Sequence, residues 1–483
     1  MSLTQRVAYN TAVQIVAKVI TTLLSLVLIA ALTRYLGVSG YGEYTTIFAY
    51  TQFFAVFSDF GFFWFFLREI SKPEANTEKI ASNVLTFRTL VAIGIFTAGF
   101  LLGLFIPQYH DIRYGIGIIA GAAFWMSLNG TYVGIFQSKL RMDKAALTDI
   151  IGRLVILGIV LFQIKAGVNL TQILWAYFLG NFANFAINAL LGRMYVKIRP
   201  AFDTKYWKYI FWECLPISIV SILSVIYFKI DTVILSLLKS STDVGIYGPP
   251  YKVLEILILF PAIFMGNVFP IFVRYFYSKD ERIKSAYQRS FDFLLIAAVP
   301  IVVGVVFTAK RIIQIIAGGE FVQAHTIPPV FGLPATSATA LQILIIAVGI
   351  SFISHIFGYM VIAIGKQTKL IWPNAAMVVF NIGMNLLLIP KISYIGAAIV
   401  TVLTEILVVA SYYFVMRQNI ELRLRFSIVW KVVLSGILLA VTLKYLSFLS
   451  LWYLIPIGAA VYLFIMWLVK GISKEMVLQL VKK

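Results

Sequence analysis

Apolar runs of about twenty residues recur from one end of this chain to the other, and the connectors between them are too short to hold a folded soluble domain. A run of that length is what a helix needs to cross roughly 30 Å of hydrocarbon at 1.5 Å per residue. Inside lipid every backbone amide must find its partner within the protein, so a chain built this way can fold only as a bundle of membrane helices. The composition agrees, with 61% hydrophobic and 12% charged residues among 483. The runs number about 14, which predicts an all-α polytopic membrane protein.

Sorting the 40 Lys and Arg residues by these runs places 27 on the connectors and tails of the N-terminal side, 8 on the opposite connectors and 5 inside the runs. That asymmetry predicts an N-terminus in the cytoplasm of a cell (inner, cytoplasmic) membrane, and the even count puts the C-terminus there too. The net charge of +20 then reads as topology and attraction to anionic headgroups, not as a nucleic-acid surface. The first run is too long for a signal-peptide core and has no small-residue cleavage site after it, so it is expected to stay as a helix. One cysteine, Cys214, excludes an internal disulfide, and His110, His325 and His355 are too scattered for a metal site. No G-x-x-x-x-G-K-[ST] string occurs, so no ATP-cradling loop powers the chain. The longest outward connector, Lys310 to Pro334, holds Gly318, Gly319, Pro328 and Pro329 and reads as a turn region with a short interfacial helix.

The connector "LGVSGYGEY" after the first run and "LKSSTDVGIY" after the seventh set Gly42-x-Tyr44 beside Gly245-x-Tyr247. Six runs separate them, so the halves would share one orientation, related by an axis along the membrane normal. The resulting expectation is a lobe over 1–209, a second over 210–416, and two further helices with a cytoplasmic tail over 417–483.

Four strings carry a family resemblance. The segment "NLLLIPKISYIGAAIVTVLTE", Asn385 to Glu405, closely resembles the signature joining helices 11 and 12 in polysaccharide transporters of the multidrug/oligosaccharidyl-lipid/polysaccharide flippase superfamily. "RYLGVSGYGEY" from Arg34, "SDFGF" from Ser58 and "FKIDTVILSLLKSSTDVGIYGPPYKV" from Phe228 are similar to the same family, in the same order. The connector departs from the family at Val38-Ser39-Gly40. The resemblance implies the O-antigen-flippase type of protein, which moves a polyprenyl-pyrophosphate-linked oligosaccharide from the cytoplasmic to the outer leaflet. It implies two pseudo-symmetric six-helix lobes, a central cavity and alternating access, with the lipid-linked glycan, membrane lipids and the glycan polymerase machinery as partners. No cofactor is implied beyond H+ or Na+ as a coupling ion.

A pyrophosphate head carries about two negative charges, and burying them unpaired costs several kcal/mol, so a flippase cavity should offer cations and polar donors. Lys18, Arg88 and Arg153 lie six to eight residues from the predicted cytoplasmic ends of alternate runs, about 9 to 12 Å deep, and could form one collar. The competing account is that they snorkel or pair with carboxylates such as Asp59 or Asp149, the latter four residues before Arg153. Lys229 and Asp231 are two apart and face different ways, so at least one needs another partner, and Lys229 joins Lys18, Arg88 and Arg153 as a candidate substrate-binding cation of the central cavity. Lys252 and Glu255, three apart, can pair. Asp59, Asp231, Glu255 and Glu405 are the candidates for ion coupling, with structural pairing as the alternative. Asn181, Asn184, Asn188, Asn381 and Asn385 recur at helical spacing and suit either sugar hydroxyls or interhelical bonds. His355 reads as a helix contact, and the rings of "FFWFF", Phe62 to Phe66, as lipid contacts.

The function expected is therefore transport without catalysis, driven by an ion gradient or the membrane potential. The alternatives are a drug or cation exporter of the same superfamily, which should favour acidic cavity residues, and a membrane glycan polymerase or ligase, which should act on substrate already outside.

Overall fold

A computed structural model describes residues 3–72, 74–330 and 332–471. The predicted tail lies mostly beyond these, at 472–483. Fourteen α-helices carry the described chain: α1 Leu3–Asp59, α2 Phe62–Ile70, α3 Thr77–Leu104, α4 Arg113–Ser138, α5 Met142–Lys165, α6 Leu170–Gly192, α7 Thr204–Leu238, α8 Ser241–Tyr277, α9 Arg282–Ile316, α10 Glu320–Gln323, α11 Ser337–Ala363, α12 Ile371–Asn419, α13 Ser427–Tyr445 and α14 Leu451–Leu468. Among the described residues the only β pairing is an isolated bridge between Val330 and Leu333.

Among the described residues, twelve stretches are long and apolar enough to cross a membrane. Two of them, 12–70 and 367–419, run to 59 and 53 residues, roughly 80 to 90 Å as straight helix and far beyond one crossing. Each is broken midway. Gly37 sits at φ 64°, where a side chain would be strained, and divides α1 at a kink. Ile392 and Ser393 leave helical geometry just after Pro390, a residue with no amide hydrogen to donate, and divide α12. Counting each as two gives fourteen crossings, the number the apolar runs predict.

The second crossing breaks again at Phe60 and Gly61, both at positive φ, so that α2 is a separate nine-residue helix. Its Phe62, Phe65, Phe66, Glu69 and Ile70 are buried, an i, i+3, i+4, i+7, i+8 stripe, while Trp64 is exposed. The rings expected to meet lipid are thus mostly core. They pack with Ile80 and Val84 of α3, Tyr132, Ile135 and Phe136 of α4, and Ile210 and Cys214 of α7. Within lipid this packing stabilises by close contact rather than by removing apolar surface from water.

The chain divides into two compact units at Gly245 and Ile246. In the first, α4 lies on α6, α6 on α5, α5 on α1, and α7 on α1. The Asn10 side chain clamps the start of α5, donating to the Leu140 carbonyl at 2.8 Å and accepting from the Met142 amide at 2.7 Å. Asp203 caps α7 by accepting the Tyr206 amide at 3.0 Å. That bond and the nearby Lys79 hold its carboxyl below the usual range.

The connectors after the first and seventh crossings also meet within this unit. A Cβ on Gly42 would stand 1.7 Å from the Ser241 carbonyl oxygen, and one on Gly245 1.9 Å from that of Val38. The Ser39 and Ser241 hydroxyls bond at 2.8 Å between them.

In the second unit α11 packs on α12 and α9 and is mostly buried. Gln288 of α9 exchanges two hydrogen bonds with the Arg425 backbone, at 2.9 and 2.8 Å. Tyr462 of α14 donates to the Ile296 carbonyl at 3.0 Å, and Arg311 donates to the carbonyls of Ser447 and Leu449, fixing the turn before α14. The short α10 falls in the connector expected to hold an interfacial helix.

Candidate functional site

The three cations expected at one level separate into two environments. Arg88 is 2% exposed in the interior of the first unit. It donates to Asp59 through one terminal nitrogen and to the Ser127 hydroxyl through Nε at 3.2 Å, and it lies over the Phe62 ring at 5.9 Å. Its other terminal nitrogen is buried with no hydrogen-bond partner among the described residues, against the backbone of Gly130. Asp59 is the last residue of α1 before the Phe60–Gly61 break, so the pair ties that break to α3. Ser58 adds a hydroxyl bond to Ser127 at 3.2 Å.

Lys18 and Arg153 look outward instead. The Asn10 clamp sets α1 and α5 in parallel register. Lys18, eight residues on from Asn10, and Asp149, seven on from Met142, therefore stand about 10 to 12 Å along their helices at one level. Lys18 is exposed, and its ammonium has no hydrogen bond or ion pair among the described residues. Arg153, one turn further along α5, reaches Asp149 only loosely, at 4.0 Å, with the side chains 41% and 49% exposed.

Amides and a hydroxyl back this strip. Asn188 of α6 accepts from Thr148 Oγ1 at 2.8 Å and donates to Asn129 at 2.7 Å and Asn184 at 2.8 Å. Asn188 is buried, whereas Asn129 and Asn184 are half-buried. Asn181 spends its amide on the Tyr177 carbonyl of its own helix. An exposed cation, a loosely held Arg and half-buried amides can receive an anion with polar substituents. The guanidinium can exchange a distant carboxylate for a bidentate phosphate without breaking a buried bond.

The remaining candidates are spread over both units. In the first, Asp231 is 2% exposed and accepts the Thr232 amide at 2.7 Å, with Lys229 half-buried a half-turn before it. In the second, Lys252 pairs with Glu255 at 2.8 Å, their side chains 40% and 26% exposed. Glu405 is buried, with the Ser354 hydroxyl of α11 3.5 Å away. Beside it Asn381 donates to Thr404 Oγ1 at 3.1 Å, and Asn385 donates to Asn381 Oδ1 at 2.8 Å while its own carbonyl oxygen is buried without a partner among the described residues. His355 bonds the Ser351 carbonyl at 2.7 Å. No group of His, Cys, Asp and Glu suited to a metal ion occurs among the described residues.

Sequence reasoning passed over Ser127, Thr148, Asn129, Ser354 and Thr404. A lone Ser or Thr in an apolar run normally bonds its own helix, as Thr404 does to the Val400 carbonyl, so nothing local marks it.

A sequence model described as "Polysaccharide biosynthesis protein" matches residues 7–276. Over 284 residues the chain is 22% identical to a Haloferax volcanii protein described as the probable low-salt glycan biosynthesis flippase Agl15, the match covering 56% of this chain and 54% of the relative. The chain thus spans about half the length of that curated relative. Among solved structures, the lipid II flippase MurJ in an inward closed conformation matches with a TM-score of 0.74 at 15% identity, over 93% of this chain and 97% of that one. An inward-facing multidrug resistance MATE family transporter of the MOP superfamily matches with a TM-score of 0.64 at 13% identity, over 82% and 95%. At these identities the likeness is one of fold.

Proposed function

Because this chain belongs to the polysaccharide biosynthesis protein family, its model matching more than half of the residues, we propose that it is a flippase for a polyprenyl-pyrophosphate-linked oligosaccharide. The observation that carries the reading is the strip of Lys18, Arg153 and the Asn129–Asn184–Asn188 network, exposed cations backed by amides within apolar helices. Charge at that depth is costly unless it lines a wet cavity or a substrate path. Cations suit the pyrophosphate, and the amides suit sugar hydroxyls.

The chain would sit in the cytoplasmic membrane with both termini inside, as its basic connectors require. The anionic head enters from the cytoplasmic side while the prenyl tail stays in lipid. Arg153 releases Asp149 and takes the phosphate, Lys18 adds a point charge, and the head is then exposed outside. On this map the connectors at Gly42 and Gly245 lie on the outer side, and their contact shuts that side before substrate arrives. With the interior negative, two charges moving outward gain up to about 4.6 kcal/mol per 100 mV when unaccompanied. H+ or Na+ returning through Glu405, or through Asp231, Glu255 or Asp59, would reset the carrier.

A drug or cation exporter is the second reading, favoured by the fold it shares with the multidrug transporter. An organic cation would be repelled by Lys18 and Arg153. Reconstituted vesicles decide between the two. Wild-type protein should expose lipid-linked glycan to an impermeant reagent on the far face, and R153E should not. Equal scrambling by both, or none by wild type alongside efflux of organic cations, would refute the flippase.

A further inference from the structure

A cleft of about 350 Å³ opens in the first unit between α3, α4 and the connector after α6. That volume lies in the range of small-ligand sites. Its walls are mostly apolar, with Leu85, Leu90 and Val196 prominent, and no acidic residue lines it. Arg193 and Arg199 stand at the cleft, both exposed, and neither guanidinium has a hydrogen bond or ion pair among the described residues. Tyr132, 7% exposed, turns its ring into the same space, and no hydrogen bond from its hydroxyl occurs among the described residues.

The cleft is built rather than incidental. The amides of Arg199, Ala201 and Asp203 donate to Ser82 Oγ at 3.1 Å, Thr86 Oγ1 at 3.1 Å and Asn83 Oδ1 at 3.2 Å. Donation by alternate residues lays the connector in extended form along α3 and holds the Arg199 backbone in place without any ligand. Thr86 stands nine residues into α3, about 13 Å from its start. Phe202, 69% exposed, and Trp207, 5.8 Å from it ring to ring, supply aromatic anchors at the same level.

We propose that this cleft is a binding site for an anionic membrane phospholipid, its phosphate held between Arg193, Arg199 and the Tyr132 hydroxyl and the start of one acyl chain lying against Leu85, Leu90 and Val196. Two unpaired guanidiniums above an apolar wall complement an amphiphile with a negative head. A free phosphate leaves the apolar wall uncovered, and a zwitterionic lipid leaves the guanidiniums partly uncompensated. None of the cleft's lining residues belongs to the Lys18–Arg153 strip or its amide network, so the site serves a resident lipid rather than the cargo. The proposal needs only that the chain sits in a membrane and is independent of the flippase reading.

Native mass spectrometry of the full chain in detergent tests it with four probes: phosphatidylglycerol and phosphatidylcholine of matched chains, inorganic phosphate, and a polyprenyl pyrophosphate. Wild type should retain phosphatidylglycerol over phosphatidylcholine, and the exposed-residue variant R193Q/R199Q should bind it about tenfold or more weakly with phosphatidylcholine unchanged, as expected for losing two charge-assisted phosphate contacts. Equal retention of both headgroups by wild type, a result that needs no variant, would overturn the proposal. So would undiminished phosphatidylglycerol binding by R193Q/R199Q, competition by inorganic phosphate at equal concentration, or preferential displacement by the polyprenyl pyrophosphate.

Discussion

Gly42 and Gly245 occupy equivalent places in two similar connectors, and each admits the other connector's backbone: the Ser241 carbonyl oxygen lies where a side chain on Gly42 would be, and the Val38 carbonyl oxygen where one on Gly245 would be. Between them the Ser39 and Ser241 hydroxyls are 2.8 Å apart. A methyl group at either glycine meets main chain, which cannot swing aside as a flexible side chain can. G42A and G245A should therefore each block this closed contact and reduce transport at least tenfold while leaving the protein in the membrane. Gly94, with nothing within 4 Å of its Cβ position, is the control, and G94A should be neutral or stabilise its helix by up to about 1 kcal/mol.

The same contact can be locked. With Cys214 buried as the single native cysteine, S39C/S241C should cross-link under mild oxidation, stop transport, and regain it on reduction. Full transport by the cross-linked protein would show that the connectors need not part.

Arg88 and Asp59 differ in kind from Arg153 and Asp149. In the first pair the Arg88 side chain is 3% exposed, so D59N strands a buried cation and should cost about 3 to 5 kcal/mol, with D59L/R88M recovering much of the loss. In the second the atoms are 4.0 Å apart and both side chains are about half exposed, so D149N or R153Q should change stability by less than about 1 kcal/mol. Chemical unfolding in detergent separates them. A small loss for D59N would place Arg88 on a wet surface.

Acid should weaken the fold through two carboxylates outside the crossings. Backbone and side-chain donors hold Asp203 below its usual range, and Arg282 does the same for Asp280, donating Nε at 2.8 Å. A carboxyl depressed in the folded state stabilises above its unfolded pKa and loses that contribution as pH falls through the folded value. Melting temperature in detergent should thus fall from about pH 4 downward, and D203N/D280N should flatten that segment of the curve.

Much of the architecture was legible because lipid leaves few options. The apolar runs gave fourteen crossings, and Asp149 with Arg153 showed its i, i+4 pairing in one helix. What escaped depends on partners distant in sequence. Arg88 meets Asp59 across 29 residues only because Phe60 and Gly61 break the second crossing, and that break also turns three of the "FFWFF" rings inward. Lys18 shares a level with Asp149 only through the Asn10 clamp on the Leu140–Met142 turn. The Arg193–Arg199 cleft depends on three amides meeting hydroxyl and amide groups of α3, each of which looks unremarkable in the linear sequence.

The most direct test is export of lipid-linked glycan in cells depleted of this protein and complemented with wild type or K18E/R153E, using a label that reads glycan only on the outer face. The account predicts that depletion traps intact lipid-linked glycan on the cytoplasmic leaflet, that wild type restores surface glycan, and that K18E/R153E, present at wild-type level in the membrane, does not. Normal outer-face labelling in depleted cells, or full restoration by K18E/R153E, would contradict it.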